Sequence, residues 1–243
     1  IPAGETLRVV YQVRADAGLG AGLTLTNSAQ VRVYYSLDNN AVPAGGQADQ
    51  REVYGPTNTA QISLTTPLPG APLKENTQPT ATIGERFAYR ITVPETPVNT
   101  ALYDVRITDD LGASSAELRF VEARIVGGAA LPNTGTYTNV VLGADGAIDI
   151  PANGQIQVEI TVELLNTDAN NRGLNFNNSA SYSYNQVNGD DTTVKDGGSS
   201  ATTDMKVVEP VLIADKVVRN VTPGKATADP AAGGDILEYE VSI

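Results

Sequence analysis

The sequence predicts an all-β fold built from tandem immunoglobulin-like β-sandwich repeats. Three observations predict it: short runs in which apolar and polar residues alternate, frequent glycine and proline between those runs, and an internal repeat. The chain has 243 residues, of which 23 are Gly, 14 are Pro and 41% are hydrophobic. Alternation with a period of two is typical of half-buried strands, and Gly and Pro mark turns. No stretch shows sustained helical periodicity, although residues 114–126 could hold a short helix or turn.

Composition excludes several classes of function. The chain has no Cys and no His, so it contains no thiol nucleophile, no zinc finger and no histidine-dependent triad. Its 16 Lys and Arg stand against 28 Asp and Glu, a net charge of −12, which leaves no basic surface for nucleic acid. No apolar run approaches the roughly 20 residues that cross a bilayer. We therefore expect neither a nucleic-acid partner nor membrane insertion of this segment, and no enzyme.

An internal repeat is the most informative feature of the sequence. When the chain is slid against itself by about 150 residues, four segments return with similar residue types in the same order. The alternation within each run has the period of a half-buried strand. The matched segments are 1–4 with 150–154, 7–13 with 156–162, 23–29 with 174–180, and 84–93 with 234–243.

The repeat divides the chain into one complete unit and two partial units. We predict that residues 1–66 are the C-terminal half of one repeat, residues 72–208 a complete immunoglobulin-like repeat, and residues 210–243 the N-terminal part of the next. Prolines concentrate in 67–72 and recur at 209–210, where they give short, stiff linkers that cannot extend a sheet. The sequence is thus expected to be an internal piece of a tandem array.

The complete unit carries an ordered set of motifs. It has Lys74, then the alternating run 83–93, then the run 102–111 that ends in Thr-Asp-Asp-Leu, and then Asn-Ser-Ala-Ser-Tyr at 178–182. This order resembles the DUF11-type repeat and the related isopeptide-forming fimbrial (Cna-A-like) repeat domains of bacterial surface adhesins. The resemblance implies an extracellular protein, secreted or on the bacterial cell surface.

The resemblance also implies a covalent cross-link. In the isopeptide-forming members, a Lys on an early strand condenses with an Asn on a late strand, and a buried acid assists. Carried over by position, the nucleophile is Lys74, the acid is Asp109 and the acceptor is Asn178. The corresponding residues of the two partial units are Asn27 and Lys216.

Strand alternation tests this assignment independently, because side chains two residues apart share a face. Asp109 follows Val105 and Ile107 at that spacing, and Asn178 lies among apolar residues of the same parity, so both should point into the core. Lys74 has no such support, since its neighbours of the same parity are Pro and Asn. The alternative stays open that Lys74 is a solvated lysine beside a linker, that Asp109 caps or turns the chain, and that Asn178 is a hydrogen-bonded core amide.

Two functions follow as hypotheses. The first is a structural repeat of a surface fibre or adhesin, a stalk or filament building block whose partners are neighbouring repeats or other copies in a filament. The alternative is an adhesive binding module that recognises a glycan or protein receptor on a host or other surface. Because the end units are partial, neighbouring subunits could also complete them by strand exchange.

Other motifs predict local structure or leave a ligand open. Residues 131–135 spell the Leu-Pro-Asn-Thr-Gly of a sorting signal, but strand-like sequence follows, so we predict a surface turn. Asn-Gly at 188–189 and Asp-Gly at 145–146 predict tight hairpins. Residues 168–173 are similar to the beginning of a calcium loop but lack its bidentate Glu. We expect no cofactor, with a bound Ca²⁺ left open.

Overall fold

The computed structural model describes residues 1, 4–35, 52–226, 228 and 230–243. Regular structure in these residues consists of β-strands and short 3-10 turns. The strands are β1 (Thr24–Ala29), β2 (Tyr34–Tyr35), β3 (Val53–Tyr54), β4 (Ala60–Thr65), β5 (Leu73–Asn76), β6 (Thr80–Ala81), β7 (Arg86–Val93), β8 (Tyr103–Asp110), β9 (Leu118–Ile125), β10 (Asn139–Leu142), β11 (Ile156–Leu164), β12 (Asn175–Phe176), β13 (Ser179–Asn185), β14 (Val194–Ala201), β15 (Met205–Val207), β16 (Asp215–Asn220) and β17 (Leu237–Ser242).

Two antiparallel four-stranded sheets form the middle of the chain. One has the strand order β5-β7-β11-β9 and the other β10-β8-β13-β14. Every second residue of β7 is buried, and most of β11 alternates in the same way. The buried faces of both sheets contribute to one hydrophobic cluster. Two sheets sharing one core make a β-sandwich, which confirms the all-β, immunoglobulin-like fold class.

A third, smaller sheet has the order β12-β15-β6. β15 pairs parallel to β6 and antiparallel to β12. β12 and β13 are separated by only two residues, so the chain passes from the small sheet into the large one at Asn178. This crossing point places the side chain of Asn178 in the interior, where it is 2% exposed.

The expectation of a helix or turn in residues 114–126 is wrong for most of that segment. Residues 118–125 form strand β9, which pairs with β11, and a 3-10 turn precedes it at Leu111–Ala113. The pairing register shifts between Phe120 and Glu122, so Val121 is an extra residue of the β9 strand. Such a bulge changes the parity of the buried residues and hides the period-two pattern of a strand.

The two dipeptides expected to form tight hairpins form other turns. Asn-Gly at 188–189 lies within the eight-residue connection 186–193 between β13 and β14, which also holds a 3-10 turn. Asp-Gly at 145–146 follows β10, whose partner is β8 and not the next strand. Gly146 and Gly189 adopt φ of 75° and 71°, so the two dipeptides correctly indicated a backbone with positive φ. The tight two-residue hairpins predicted from them are wrong.

The first segment has less strand than the repeat predicts. Residues 5–16, of which 7–13 match the first seven residues of β11, form no strand and are exposed. In the middle sandwich β11 lies between β7 and β9 and bonds to both. Among the residues that the structure describes, no strand pairs with residues 5–16, so an alternating sequence is present here without the ladder hydrogen bonds that define a strand.

Strand pairing nevertheless has a similar register in the first segment and the middle sandwich. β1 pairs with β4 so that Leu25 faces Leu64, and β12 pairs with β15 so that Phe176, the match of Leu25, faces Met205. One more backbone hydrogen bond continues each strand pair. The N–H of Thr66 donates to the Leu23 carbonyl oxygen, and the N–H of Val207 donates to the Leu174 carbonyl oxygen, both over 2.9 Å. The division of the chain into units stays a prediction, and these registers are consistent with it.

Candidate functional site: a buried lysine, aspartate and asparagine

Strands β5 and β8, together with the residue immediately before β13, bring the three sequence-predicted residues together. Lys74 lies on β5 at the edge of the first sheet, and Asp109 lies near the end of β8 in the second. β13 pairs with β8 so that Ala180 faces Asp109, which puts Asn178 two residues away on the same face of the sheet. The lysine therefore reaches across the interior of the sandwich to meet the other two side chains.

One carboxyl group binds both of the other side chains. Lys74 Nζ lies 2.7 Å from Asp109 Oδ2, and Asn178 Nδ2 donates to Asp109 Oδ1 over 2.7 Å. The side chains of Lys74 and Asp109 have no solvent exposure at all. The amine and the carboxamide are thus neighbours on the two oxygens of a single buried acid.

The backbone around Asn178 holds its carboxamide in one orientation. Asn178 Oδ1 accepts a hydrogen bond from the backbone N–H of Ser179, at 2.9 Å. Its own backbone N–H donates to Thr202 Oγ1, and the N–H of Thr202 donates to the Asn178 carbonyl oxygen. With Nδ2 on Asp109 and Oδ1 on Ser179, both ends of the amide are fixed.

Burial shifts both ionisable groups towards their neutral forms. Removal from water lowers the pKa of Lys74, and the attraction of Asp109 opposes this shift without reversing it. Burial likewise raises the pKa of Asp109, against the opposing effects of Lys74 and the Asn178 hydrogen bond. Desolvation is the largest cause in each case, as expected for charges in a medium of low dielectric constant.

Tyr89 is a member of the site that the sequence reasoning missed. Lys74 Nζ lies 4.4 Å from the centre of its ring, and the ring is fully buried on β7. Lys74 pairs with Ile91, so Tyr89 lies two residues along the neighbouring strand on the same face. The internal repeat could have identified Tyr89, because it matches Tyr89 with Tyr239, and each of these tyrosines follows one of the corresponding lysines, Lys74 and Lys216.

The third segment repeats this local arrangement. Lys216 on β16 faces Val241 on β17, as Lys74 faces Ile91. Lys216 Nζ lies 4.8 Å from the ring centre of Tyr239, the match of Tyr89. In the first segment, Asn27 Nδ2 donates to Tyr11 Oη over 2.7 Å and the residue is exposed.

The alternative reading of the three residues is wrong in two of its parts. Lys74 is not solvated, since it is 2% exposed, and the preceding same-face residue Pro72 is buried as well. The residue that caps the 3-10 turn is Asp110, whose side chain accepts from Gly112, and not Asp109. The third part is correct, because Asn178 is a hydrogen-bonded core amide.

The remaining motifs have structural explanations. Residues 131–135 form the predicted surface turn only at their end: Leu131 is buried, Asn133 is half-buried and bridges to Leu142, and the chain bends at the exposed Gly135. Asn133 Oδ1 accepts from two backbone N–H groups and stabilises this bend. In the loop 168–173, the buried side-chain amide of Asn170 forms hydrogen bonds with the backbone of Glu117 and Leu165, which hold the loop against the middle sandwich. Among the residues that the structure describes, no three Asp or Glu side chains form a group that could hold a metal ion.

No protein-family model matches this chain, and no curated protein matches it. Within the described part of the chain, no helix has the length and apolar character needed to cross a membrane.

Several solved structures are similar at a low level. The N-terminal domain of the Streptococcus gordonii adhesin Sgo0707 is 13% identical with a TM-score of 0.38, over 60% of this chain and 35% of that one. BcpA, the major pilin subunit of Bacillus cereus, is 10% identical with a TM-score of 0.35, over 78% and 66%. AvmM, which catalyses macrocyclization in alchivemycin A biosynthesis, is 8% identical with a TM-score of 0.37, over 58% and 90%. Likenesses this weak say nothing about what the chain binds or does.

Proposed function

We propose that the chain is a structural module of an extracellular bacterial surface fibre or adhesin, stabilised by an isopeptide bond between Lys74 and Asn178. The observation that carries this proposal is the shared carboxyl group: the ε-amine and the carboxamide both bind Asp109 inside the core. The acidic composition and the absence of Cys fit a soluble spacer that gains covalent stability without disulfides.

The chemistry needs a neutral amine, and burial favours it by lowering the pKa of Lys74. Asp109 accepts a proton from the Lys74 ammonium, which leaves a neutral amine and a neutral acid. Lys74 Nζ then attacks Asn178 Cγ, a C–N bond forms, and the bond from Cγ to Nδ2 breaks. Asp109 passes its proton to the leaving nitrogen and takes the surplus proton from Nζ, so ammonia departs and the acid ends protonated. No external oxidant, metal or cofactor enters this balance.

Such a bond would restrict the unfolded chain strongly. It joins the two sheets and closes a loop of about 100 residues, which by analogy with a disulfide stabilises the folded state by about 4 to 5 kcal/mol. A buried lysine and aspartate that stay unlinked gain little for the fold, because desolvation offsets most of their attraction. The covalent product therefore gives this arrangement a clear physical benefit.

Intact mass spectrometry tests the proposal directly. We expect the purified chain to be lighter than its calculated mass by one ammonia, and digestion should yield one branched peptide containing both Lys74 and Asn178. Lys74→Met should restore the full mass, because the nucleophile is gone. Lys195→Met, which removes an exposed lysine of β14, is the matched control and should keep the deficit. A full calculated mass for the unmodified sequence would refute the cross-link.

A further inference from the structure

A loop of the first segment lies directly on the middle sandwich. This docking loop comprises residues 17–22. The N–H of Ala21 donates to the Ala101 carbonyl and the N–H of Ala101 donates to the Leu19 carbonyl, both at 3.0 Å, which forms a parallel bridge across the junction. Ala21 has no solvent exposure, although most of the first segment is exposed. The loop is therefore held by backbone pairing, the same interaction that joins strands within a sheet.

Side chains of the middle sandwich add to this contact. Tyr103 Oη donates to the Gly18 carbonyl oxygen over 2.6 Å, and Gln186 Nε2 donates to the Ala21 carbonyl oxygen over 3.2 Å. These residues belong to β8 and to the connection after β13, so two separate elements of the sandwich grip the loop.

The linker between the two parts is bound along its length as well. The Pro67 carbonyl accepts from Gly22 of the docking loop and from Thr100 of the sandwich. Further along, Tyr182 Oη donates to the Gly70 carbonyl oxygen at 2.7 Å. Proline already restricts this linker, and these bonds use backbone groups that a flexible tether would leave to water.

Glycine makes the close approach of the docking loop possible. A Cβ atom on Gly20 would lie 1.9 Å from the backbone oxygen of Gln186, a distance that no side chain tolerates. The repeat match puts Asn171 at the corresponding place in the middle unit, so that loop could not dock in the same manner. The contact is therefore specific to this junction.

We infer that the docking loop and the linker lock the first segment onto the middle sandwich in one orientation, so that this junction is a rigid joint. This inference goes beyond the proposed cross-link, which lies within the middle sandwich and does not reach the junction.

Distance measurements between spin labels test the joint. The chain has no Cys, so cysteines placed at the exposed positions Gln61 of β4 and Lys195 of β14 can be labelled cleanly. The unmodified background should give one narrow distance peak. Gly20→Ala should replace it with a broad distribution, whereas Gly70→Ala, which adds a Cβ into open space in the linker, should leave it narrow.

A label pair within the sandwich, at Glu75 and Lys195, serves as the folding control and should be unaffected by Gly20→Ala. If that pair also loses its narrow peak, Gly20→Ala has disturbed the fold of the sandwich, and Tyr103→Phe replaces it as the test. Tyr103→Phe removes only the hydrogen bond to Gly18, and it should broaden the distance distribution between the labels at 61 and 195. A broad distribution in the unmodified background overturns the joint. The rigid joint is also overturned if the distance peak between the labels at 61 and 195 stays narrow in Gly20→Ala or, where that variant disturbs the fold, in Tyr103→Phe.

Discussion

At the scale of single residues, Asp109 determines what the buried cluster can do. It is the only group that touches both the amine of Lys74 and the amide of Asn178 in the hydrogen bonds described above. Without an ionisable acid at this place, Lys74 would stay buried with no group to take its proton.

We expect Asp109→Asn to abolish the loss of ammonia and to lower the free energy of unfolding by about 3 to 5 kcal/mol beyond the lost cross-link, because one member of a buried pair is left unpaired. Mass spectrometry and denaturant unfolding measure the two effects. Asp110→Asn changes the neighbouring cap, should cost at most about 1 kcal/mol and should keep the ammonia deficit. Equal effects of both substitutions would contradict this role for Asp109.

The pH dependence of the unlinked cluster follows from the two pKa directions. A lowered Lys74 pKa alone makes stability rise with pH, up to the ordinary value of 10.5. A raised Asp109 pKa alone makes stability fall as pH rises from the ordinary value of 3.8. Together, the two directions make the stability contribution of the pair fall as pH rises from 3.8, reach its lowest value in the middle of the range, and rise again as pH approaches 10.5.

We therefore expect the stability of the Asn178→Ala chain, which cannot form the bond, to fall relative to the same chain with Lys74→Met and Asp109→Leu as pH rises from 3.8, and to rise relative to it as pH approaches 10.5. Denaturant unfolding at a series of pH values checks this. A difference that stays constant from pH 3.8 to 10.5 would contradict these pKa directions.

At the scale of elements, close packing between strands depends on single small residues. Gly197 of β14 lies under the ring of Tyr182 on the neighbouring strand, and a Cβ there would come within 2.2 Å of the ring carbon Cζ. The ring is part of the core and its hydroxyl bonds to the linker. The absence of a side chain at 197 is therefore needed for the position of the tyrosine.

Gly197→Ala should lower the free energy of unfolding by about 1 to 3 kcal/mol, because the ring must move to make room. Denaturant unfolding of the two chains gives the value. Gly233→Ala is the control, since its Cβ would meet no atom within 4 Å, and it should change stability much less. No difference between the two would mean that the β14 strand shifts without cost.

At the scale of the whole molecule, the proposed bond would join the two large sheets to each other. Lys74 belongs to the first sheet, and Asn178 lies at the beginning of the second, so any cut between them should leave the pieces connected. A protease site inserted into the exposed turn at 134–138 provides such a cut.

After cleavage at that turn, we expect one band on a denaturing gel for the otherwise unmodified chain and two bands for the Lys74→Met chain. Covalent linkage survives denaturant, whereas packing between the sheets does not. Two bands in both cases would remove the proposed bond even if the cluster is correctly assembled.

The sequence by itself determined the all-β class, because period-two alternation and the internal repeat are properties of the chain alone. It also predicted that Asp109 and Asn178 are buried, since each shares its parity with apolar residues. It left Lys74 open, because a strand as short as β5 has too few positions to show a pattern.

Only the tertiary structure decided the rest. The burial of Lys74 depends on a sheet partner and on an opposing sheet far away in the chain, and Tyr89 joins the site through strand pairing. Residues 5–16 show the same dependence in reverse, since they have the alternation of a strand but no strand assignment. A strand exists only where neighbours complete its hydrogen bonds, and local sequence does not encode where those neighbours are.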